Sequence, residues 1–288
     1  MAGILITGAN GQLGNELREI SKQYYGYDFV FTDIDTLDIS DASATRNFIE
    51  NLKPDWIVNC AAYNLVDKAE SEPDAAMRIN STAVKNITDA INSTSCRFIH
   101  ISTDYVYGSK CNVPCSEEVT SDPESAYALS KLSGEQMALI HPFSMVIRTS
   151  WLYSSYGANF VKTMLKYGRE RESLKVVFDQ TGTPTYAADL ADAIMKIISG
   201  VIRNQFAFKP GIYNYSNEGV CTWFDFATEI IKESGLNCRV LPVLSKDFPQ
   251  AAKRPSYSVM DKTKIKENYN LEIPHWRTSM VKCLEKIK

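Results

Sequence analysis

A glycine-rich stretch near the start of the chain, residues 4–17, constrains the fold more than any other part of the sequence. Gly8, Gly11 and Gly14 follow a short apolar run with the spacing G-x-x-G-x-x-G. Glycine permits the positive φ of a tight turn after a strand and lets the backbone approach a phosphate closely. A helix that begins directly after such a turn points its free N–H groups at a bound anion. The stretch therefore predicts a pyrophosphate site for a dinucleotide; the alternative is a glycine-rich turn without a ligand.

Short apolar runs alternate with helical patterns through the first half of the 288-residue chain. The predicted strands are residues 4–7, 28–32, 56–59, 97–101 and 144–148. The predicted helices are residues 12–23, 41–52, 73–93 and 126–139. This alternation is typical of βαβ units and predicts an α/β fold of the Rossmann type, with a doubly wound parallel sheet.

Past Thr149 the pattern loosens. Helices are predicted at residues 159–167, 186–198, 223–234 and 280–287, and strands at residues 175–178, 211–215 and 239–243. We expect a dinucleotide-binding domain over residues 1–150 and a smaller mixed α/β substrate-binding domain built mainly from residues 151–288. Residues 184–202 are expected to return to the first domain.

The overall charge and hydropathy exclude several classes of protein. The formal net charge is −3 and the chain has no basic run, which argues against nucleic acid as a partner. No apolar run reaches the length of a membrane span, and the N-terminus lacks the pattern of a signal peptide. The seven cysteines are scattered, with Cys111 and Cys115 as the only close pair. We therefore expect a cytoplasmic protein with reduced thiols and no membrane partner.

Acidic residues follow the second predicted strand. In dinucleotide folds an acidic residue about 20 positions past the glycines often binds the adenosine ribose. Asp33 fits this place, and its carboxylate would repel a 2′-phosphate, which favours NADH over NADPH. The alternative is an aspartate that serves only the turn. Asp38 and Ile39, just before the second helix, are candidates to flank the adenine.

Candidate catalytic groups follow the fourth predicted strand. Thr103 stands at its end, at the ligand-binding edge of a parallel sheet, and Tyr127 and Lys131 lie one turn apart on the next helix. A free phenol titrates near 10. A nearby ammonium and an oxidised nicotinamide are expected to lower the pKa of the Tyr127 phenol, which could then exchange a proton with a carbonyl oxygen as hydride is transferred. The alternative is a tyrosine and a lysine on an ordinary helix surface.

Together these motifs resemble the extended short-chain dehydrogenase/reductase superfamily, and longer motifs resemble the dTDP-4-dehydrorhamnose reductase family. The longer motifs are residues 66–73, 102–106, 148–151, 159–164, 179–184 and 254–255. The resemblance runs from about residue 3 to residue 276. It implies reduction of the 4-keto group of dTDP-4-dehydro-L-rhamnose with NADPH or NADH, in the biosynthesis of dTDP-rhamnose for cell-surface polysaccharide.

The resemblance also implies roles for individual residues. Tyr127 would be the proton donor, Lys131 its partner and Thr103 an assisting hydrogen-bond donor. The residues implied at the cofactor are Gly11, Gln12, Leu13, Asp38, Ile39, Ala62, Tyr63, Asn64, Tyr127 and Lys131. The residues implied at the sugar are Thr103, Asp104 and Trp151.

Two further side chains have a physical reason to bind this substrate. The flat indole of Trp151 would cover the apolar face of a deoxysugar and exclude water, although a tryptophan of the core is the alternative. The guanidinium of Arg254 would pair with the diphosphate, although a solvated surface arginine is the alternative.

Some members of the family bind Mg²⁺ between subunits through carboxylates. Glu16 matches one such position, but Ala188 stands at another, so no metal is predicted, and a homodimer remains one possibility.

Two other functions stay open. A nucleotide-sugar dehydratase or epimerase would need a glutamate where Tyr105 follows Asp104, and a non-catalytic NADP-binding regulatory subunit would not need the Thr103, Tyr127 and Lys131 set.

Overall fold

The computed structural model describes residues 2–287. Its strands are β1 (Ala2–Thr7), β2 (Tyr27–Thr32), β3 (Trp56–Asn59), β4 (Arg97–Thr103), β5 (Ser144–Thr149), β6 (Leu152–Tyr153), β7 (Ser173–Val177), β8 (Thr181–Gly182), β9 (Thr185–Tyr186), β10 (Gly211–Asn214), β11 (Cys221–Thr222) and β12 (Arg239–Val243). Its α-helices are α1 (Gln12–Ser21), α2 (Ala42–Leu52), α3 (Val66–Ala69), α4 (Pro73–Met77), α5 (Ala83–Ile91), α6 (Ala126–Ala138), α7 (Phe160–Glu170), α8 (Ala187–Ile202), α9 (Trp223–Glu233), α10 (Thr263–Tyr269) and α11 (Trp276–Ile287).

The central sheet has six parallel strands in the order β10-β5-β4-β3-β1-β2. The predicted doubly wound α/β fold is confirmed. The chain runs outward in opposite directions from β1, first to β2 and then to β3, so a crevice opens between the carboxyl ends of β1 and β3. Ligands of such sheets bind at this reversal of strand order.

The two faces of the sheet are covered by different helices. Ile4 and Ile6 of β1 pack in one hydrophobic cluster with residues of α1, α8 and α10, whereas Leu5 between them belongs to a second cluster with α2, α5 and α6. Successive side chains of a strand point to opposite faces, which is why one apolar run supplies both cores. The nearly continuous apolar runs of the strands follow from burial on both sides.

The helix predicted over residues 73–93 is present over residues 73–91, but it is not α-helical throughout. The structure has α4, a π-helical turn at Arg78–Thr82, and then α5. The turn carries the fully buried Asn80, whose side-chain carbonyl accepts a hydrogen bond from the Tyr63 N–H (2.8 Å) and whose amide group donates to the Tyr63 carbonyl (3.0 Å). Such single π turns are frequent at functional sites.

A third hydrophobic cluster lies in the C-terminal part of the chain. It joins α7, α9 and α11 through buried residues such as Val161, Phe226 and Trp276. Two later segments lie elsewhere, because α8 packs on α1 and β10 extends the central sheet beside β5. The domain boundary at residue 150 stays a prediction.

The expectation that all seven cysteines are reduced is wrong for one pair. Cys111 and Cys115 form a disulfide, with their Cα atoms 6.0 Å apart, within the usual range for this bond. Between residues 2 and 287, no helix combines the length and the hydropathy that a membrane span requires.

Candidate active site

The glycine turn lies at the reversal of strand order. Gly8 has φ +65°, and a Cβ atom there would lie 2.4 Å from the backbone nitrogen of Ala61, which follows β3. Only glycine fits this close approach. Within residues 2–287, no side chain caps the N-terminus of α1, which starts after Gly11, and its first turn has no acidic residue. The free N–H groups and the helix dipole therefore remain available to an anion.

Two adjoining cavities, of about 430 Å³ and about 540 Å³, meet at this turn. We call the first the adenosine-side cavity and the second the catalytic cavity, after the roles that the sequence analysis predicts for residues in their walls. Sequence-predicted residues in the adenosine-side cavity are Gly8, Gly11, Asp33, Asp38, Ile39, Ala62 and Asn64. Those in the catalytic cavity are Gly8, Gly11, Gln12, Leu13, Gly14, Ala62, Asn64, Thr103, Asp104, Tyr127, Lys131, Trp151 and Arg254.

Asp33 lines the adenosine-side cavity but is already engaged by backbone groups. Its carboxylate accepts hydrogen bonds from the N–H groups of Asn10 and Ile34, both at 2.8 Å. The carboxylate therefore fastens the glycine turn to the end of β2. Arg78, which the sequence analysis did not consider, lines the same cavity and offers a cation there.

Tyr63 is the one predicted cofactor residue that lines neither cavity. Its phenol donates to Glu72 at 2.8 Å, while its backbone is held by Asn80 in the π turn. The adjacent Asn64 does face the catalytic cavity, where its side-chain oxygen accepts a hydrogen bond from the Tyr127 hydroxyl at 3.4 Å.

Helix α6 places Tyr127 and Lys131 in the catalytic cavity. The hydroxyl of Ser125 caps the helix by accepting a hydrogen bond from the Ala128 N–H at 3.2 Å, which fixes the first turn. Tyr127 and Lys131 are both buried, at 7% and 2% exposure. The Lys131 ammonium donates to the carbonyl of Ile101 in β4 at 2.6 Å, so the lysine is held against the sheet.

Burial sets the protonation of both groups. It raises the pKa of the Tyr127 phenol above its ordinary value, while the Thr103 side chain acts to lower it. Burial lowers the pKa of Lys131 to about 8, against the effect of Glu135. Within the chain itself, the loss of solvent around the phenol outweighs the effect of its neighbours, and the lowering expected beside an oxidised nicotinamide stays a prediction.

Asp104 is a second buried acid in the catalytic cavity. Its Oδ1 accepts a hydrogen bond from the Thr103 hydroxyl at 3.1 Å, and its Oδ2 has no partner among the described residues. Burial raises the pKa of the Asp104 carboxyl to about 6, against the lowering effect of the nearby Ser258 and Thr103 side chains. The free oxygen can accept a hydrogen bond from a sugar hydroxyl.

A buried ion pair fixes α6 against the ends of β4 and β5. Glu135, one turn after Lys131, accepts two hydrogen bonds from the Arg148 guanidinium, at 2.9 and 2.7 Å, and a third from the Ser102 hydroxyl at 2.6 Å. The side chains of Glu135 and Arg148 are each only 2% exposed. The pair therefore positions the helix that carries Tyr127 and Lys131.

The two predicted substrate residues of the second half lie at the cavity wall. Trp151 has a positive φ of +46°, rare for a bulky residue, and its indole stacks on that of Trp223. Arg254 forms a bidentate pair with the Asp67 carboxylate, at 3.0 and 2.7 Å. It is thus neither free nor a fully solvated surface arginine.

The carboxylates near the family's metal position do not converge. Buried Glu16 accepts a hydrogen bond from Ser154 at 2.7 Å and lies 3.4 Å from the Lys286 ammonium. The Asp189 carboxylate is bound instead by the Asn217 amide at 2.7 Å and by Ser279. Within residues 2–287, no group of three or more potential ligands is placed to hold a metal ion.

Comparison with known proteins gives the family of this chain. The family model described as the RmlD substrate binding domain matches residues 1–288. The chain belongs to this family.

Relatives of this RmlD-family chain share its full length. The spore coat polysaccharide biosynthesis protein SpsK of Bacillus subtilis is 38% identical, over 99% of this chain and 98% of that protein. The dTDP-4-dehydrorhamnose reductase of Escherichia coli is 34% identical, over 99% of this chain and 97% of that protein. A crystal structure of dTDP-4-dehydrorhamnose reductase from Bacillus anthracis in complex with NADP has a TM-score of 0.93 at 38% identity, covering 99% of this chain and 100% of that chain. The resemblance found in the sequence motifs is confirmed.

Several residues of the RmlD-family site escaped the sequence analysis. Asn80 and Arg78 fall within what looked like an unbroken helix, and Asp67 pairs with Arg254 across 187 residues. Trp223 is the first residue of α9 and follows the capping residue Thr222. The threonine is a sequence signal for the start of this helix, but nothing in the sequence indicates that Trp223 stacks on Trp151.

Proposed function

We propose that this chain is a dTDP-4-dehydrorhamnose reductase, which reduces the 4-keto group of dTDP-4-dehydro-L-rhamnose to form dTDP-L-rhamnose. The observation that carries the proposal is the convergence of Thr103, Tyr127 and Lys131 in one cavity that continues into the glycine turn. Relatives that bear this name match over nearly the whole length of the chain. A non-catalytic binding subunit would need the glycine turn but not this buried acid–base set.

The residues present fit a nicotinamide dinucleotide, NADPH or NADH. The uncapped start of α1 and the side-chain-free Gly8 suit a pyrophosphate, and Asp38 with Ile39 flank the cavity on the adenosine side. Lys131 would hold the nicotinamide ribose. When bound, the reduced nicotinamide supplies the hydride.

Tyr127 would donate the proton that completes the reduction. Burial keeps its phenol protonated, as a proton donor must be, and Thr103 offers a second hydroxyl to the same substrate oxygen. As the C4 carbonyl carbon accepts hydride, its oxygen takes the Tyr127 proton and the product is an alcohol. The Lys131 ammonium would stabilise the phenolate that remains until a solvent proton replaces the one transferred.

Asp104, Trp151 and Arg254 would hold the substrate. The free oxygen of Asp104 suits a sugar hydroxyl, and the Trp151 indole suits the apolar face of a deoxysugar. Arg254 would share its guanidinium between Asp67 and the diphosphate. Tyr105, in the position where related dehydratases place a glutamate, packs its ring edge-on against Tyr127 at 5.6 Å and offers no carboxyl group, which favours simple reduction.

The test is the turnover of a Tyr127→Phe variant. The parent should oxidise NADPH or NADH when given dTDP-4-dehydro-L-rhamnose, followed by absorbance of the reduced nicotinamide. Tyr127→Phe should lower kcat by about 100-fold or more, because the proton donor is lost, while cofactor affinity stays unchanged. Since the substrate is unstable, the preceding epimerase supplies it in a coupled assay.

Tyr105→Phe is the matched control, since it removes the neighbouring phenol and keeps the ring. A Tyr127→Phe variant as active as the parent would refute the assigned acid. A parent that consumes no cofactor and yields an epimerised or dehydrated sugar would refute the reductase. A cytoplasmic location, a homodimer and the absence of nucleic-acid binding stay predictions from the sequence.

A further inference from the structure

The wall of the catalytic cavity contains an unusual pair of tryptophans. The rings of Trp151 and Trp223 stack with centroids 3.7 Å apart and an interplanar angle of 11°. Trp151 adopts its stacked position with φ +46°, a backbone conformation that bulky side chains rarely adopt and that persists only where the surroundings enforce it. Neighbouring groups must therefore hold Trp151 in this conformation.

The backbone around Trp151 is held by the segment that follows β8. The Ser150 hydroxyl donates to the carbonyl of Thr183 at 2.7 Å, and the Thr185 N–H donates to the carbonyl of Trp151 at 3.3 Å. Leu152 and Tyr153 then pair with Thr185 and Tyr186 as strands β6 and β9. These hydrogen bonds fix the Trp151 backbone and therefore the position of its Cβ atom.

Gly182 leaves the space that the Trp151 indole fills. A Cβ atom at Gly182 would lie 2.7 Å from Cζ2 and 2.8 Å from Cε2 of Trp151, closer than real contacts allow. Gly182 pairs with Cys221 where β8 meets β11, and Trp223 follows β11 directly. One short antiparallel pairing thus brings both neighbours of the indole together.

Trp223 is itself rigidly placed. It is the first residue of α9, whose N-terminus has a complete capping box formed by Thr222 and Asp225. Its other contacts lead into the core, since Phe160 packs against it at 4.6 Å and Phe226 stacks on Phe160 at 5.6 Å. The support behind Trp151 is therefore continuous with the third hydrophobic cluster.

We propose that Trp223 and Gly182 are positioning residues that hold the Trp151 indole as the sugar-facing wall of the catalytic cavity. They determine how much affinity the sugar adds to the nucleotide diphosphate. This inference rests on the proposed function, because it assumes a nucleotide-sugar substrate. A merely structural role would change stability without changing the contribution of the sugar.

The test compares the affinities for dTDP-L-rhamnose and for dTDP, measured by calorimetry on the full chain. The ratio of the dTDP-L-rhamnose affinity to the dTDP affinity gives the contribution of the sugar to binding. Trp223→Ala and Gly182→Ala should lower the ratio by roughly three- to tenfold, the range that one aromatic stacking contact contributes, with dTDP affinity unchanged. Trp223→Phe should restore most of the ratio because it restores a flat ring. Gly3→Ala, where the nearest atom to the new Cβ is 3.8 Å away, is the control.

A double variant decides whether Trp223 acts through Trp151. In a Trp151→Ala background, Trp223→Ala should cause no further loss of the ratio. A further loss there, an equal loss for dTDP and dTDP-L-rhamnose, or an unchanged ratio in both single variants would overturn the inference.

Near-ultraviolet circular dichroism separates this outcome from failure of the proposed function. The stacked indoles should give a coupled signal without ligand, and Trp223→Ala and Gly182→Ala should abolish it. A parent that shows this signal but binds no dTDP-L-rhamnose contradicts the proposed function. A parent that binds the sugar nucleotide but lacks the coupled signal contradicts the stack.

Discussion

At the scale of single residues, burial determines the charge of the groups around the proposed reaction centre. It raises the pKa of the Tyr127 phenol, raises that of the Asp104 carboxyl to about 6, and lowers that of Lys131 to about 8. The directions differ because burial disfavours whichever form is charged. A buried phenol that keeps its proton is suited to donate one to a developing alkoxide.

Asp104→Asn is expected to stabilise the protein in a pH-dependent way. The pKa of Asp104 rises from 3.8 to about 6 on folding, so the stability linked to its proton is fully present below 3.8 and is lost as pH rises through 6. The neutral amide should therefore raise the free energy of unfolding by on the order of 2 kcal/mol at pH 7.5, with little gain at pH 4. Urea denaturation at the two pH values measures this.

Asp28→Asn, at an exposed position, is the control for the general effect of removing one carboxylate from the chain. A gain for Asp104→Asn that is equal at pH 7.5 and pH 4 would mean that the Asp104 carboxyl does not titrate as described.

Spacing and order in the sequence were sufficient to predict that Thr103, Tyr127 and Lys131 meet in the catalytic cavity. Tyr127 and Lys131 lie one helical turn apart, and Thr103 ends a parallel strand, so the fold has to bring them to one edge. The direction of the Tyr127 pKa was not predictable, because it depends on how much solvent the finished cavity excludes. The absence of Tyr63 from the lining of both cavities was not predictable either, because no local pattern connects its phenol to Glu72 or its backbone to Asn80.

At the scale of secondary structure, helix α6 depends on the buried pair of Glu135 and Arg148. Two fully desolvated charges are tolerated here because each finds its partner in a bidentate geometry. Glu135→Leu should therefore destabilise the fold by about 3–5 kcal/mol, since it leaves a buried guanidinium unpaired. Urea denaturation measures the loss.

The double variant Glu135→Leu with Arg148→Met should recover much of that stability, because it removes both charges. Asp89→Ala breaks the exposed pair of Lys85 and Asp89 and should cost less than about 0.5 kcal/mol. If the double variant were less stable than Glu135→Leu alone, the unpaired charge would not be the cause of the loss.

Helices and strands with a clear hydrophobic periodicity were predictable, whereas the π turn and the two-residue strands were not. Strands β3 and β12 have the predicted bounds, and Asp41, the first residue of the predicted second helix, caps α2. The π turn at Arg78–Thr82 was missed because one extra residue per turn hardly disturbs an apolar helical pattern. Two-residue strands such as β8 and β11 carry no pattern at all, yet they place Gly182 beside Trp223.

At the scale of the whole molecule, segments from the second half complete the first core. Ile194 and Ile198 of α8 share a hydrophobic cluster with Ile4 and Ile6, and β10 covers the edge of β5. The sequence predicted β10 as a strand but not its place in the sheet, because partners so distant along the chain leave no local signal.

A fragment of residues 1–150 should therefore fail to fold alone, although it contains every predicted cofactor residue. Without α8 and β10, the apolar face of α1 and the open edge of β5 are exposed, which favours aggregation. We expect no cooperative unfolding transition by circular dichroism and no NADPH binding by calorimetry. Co-expression with residues 151–288 should restore both, since the two fragments together supply the missing strand and helix. A fragment that unfolds cooperatively and binds NADPH like the full chain would show that the first 150 residues form an independent domain, and that α8 and β10 only cover a core that is already complete.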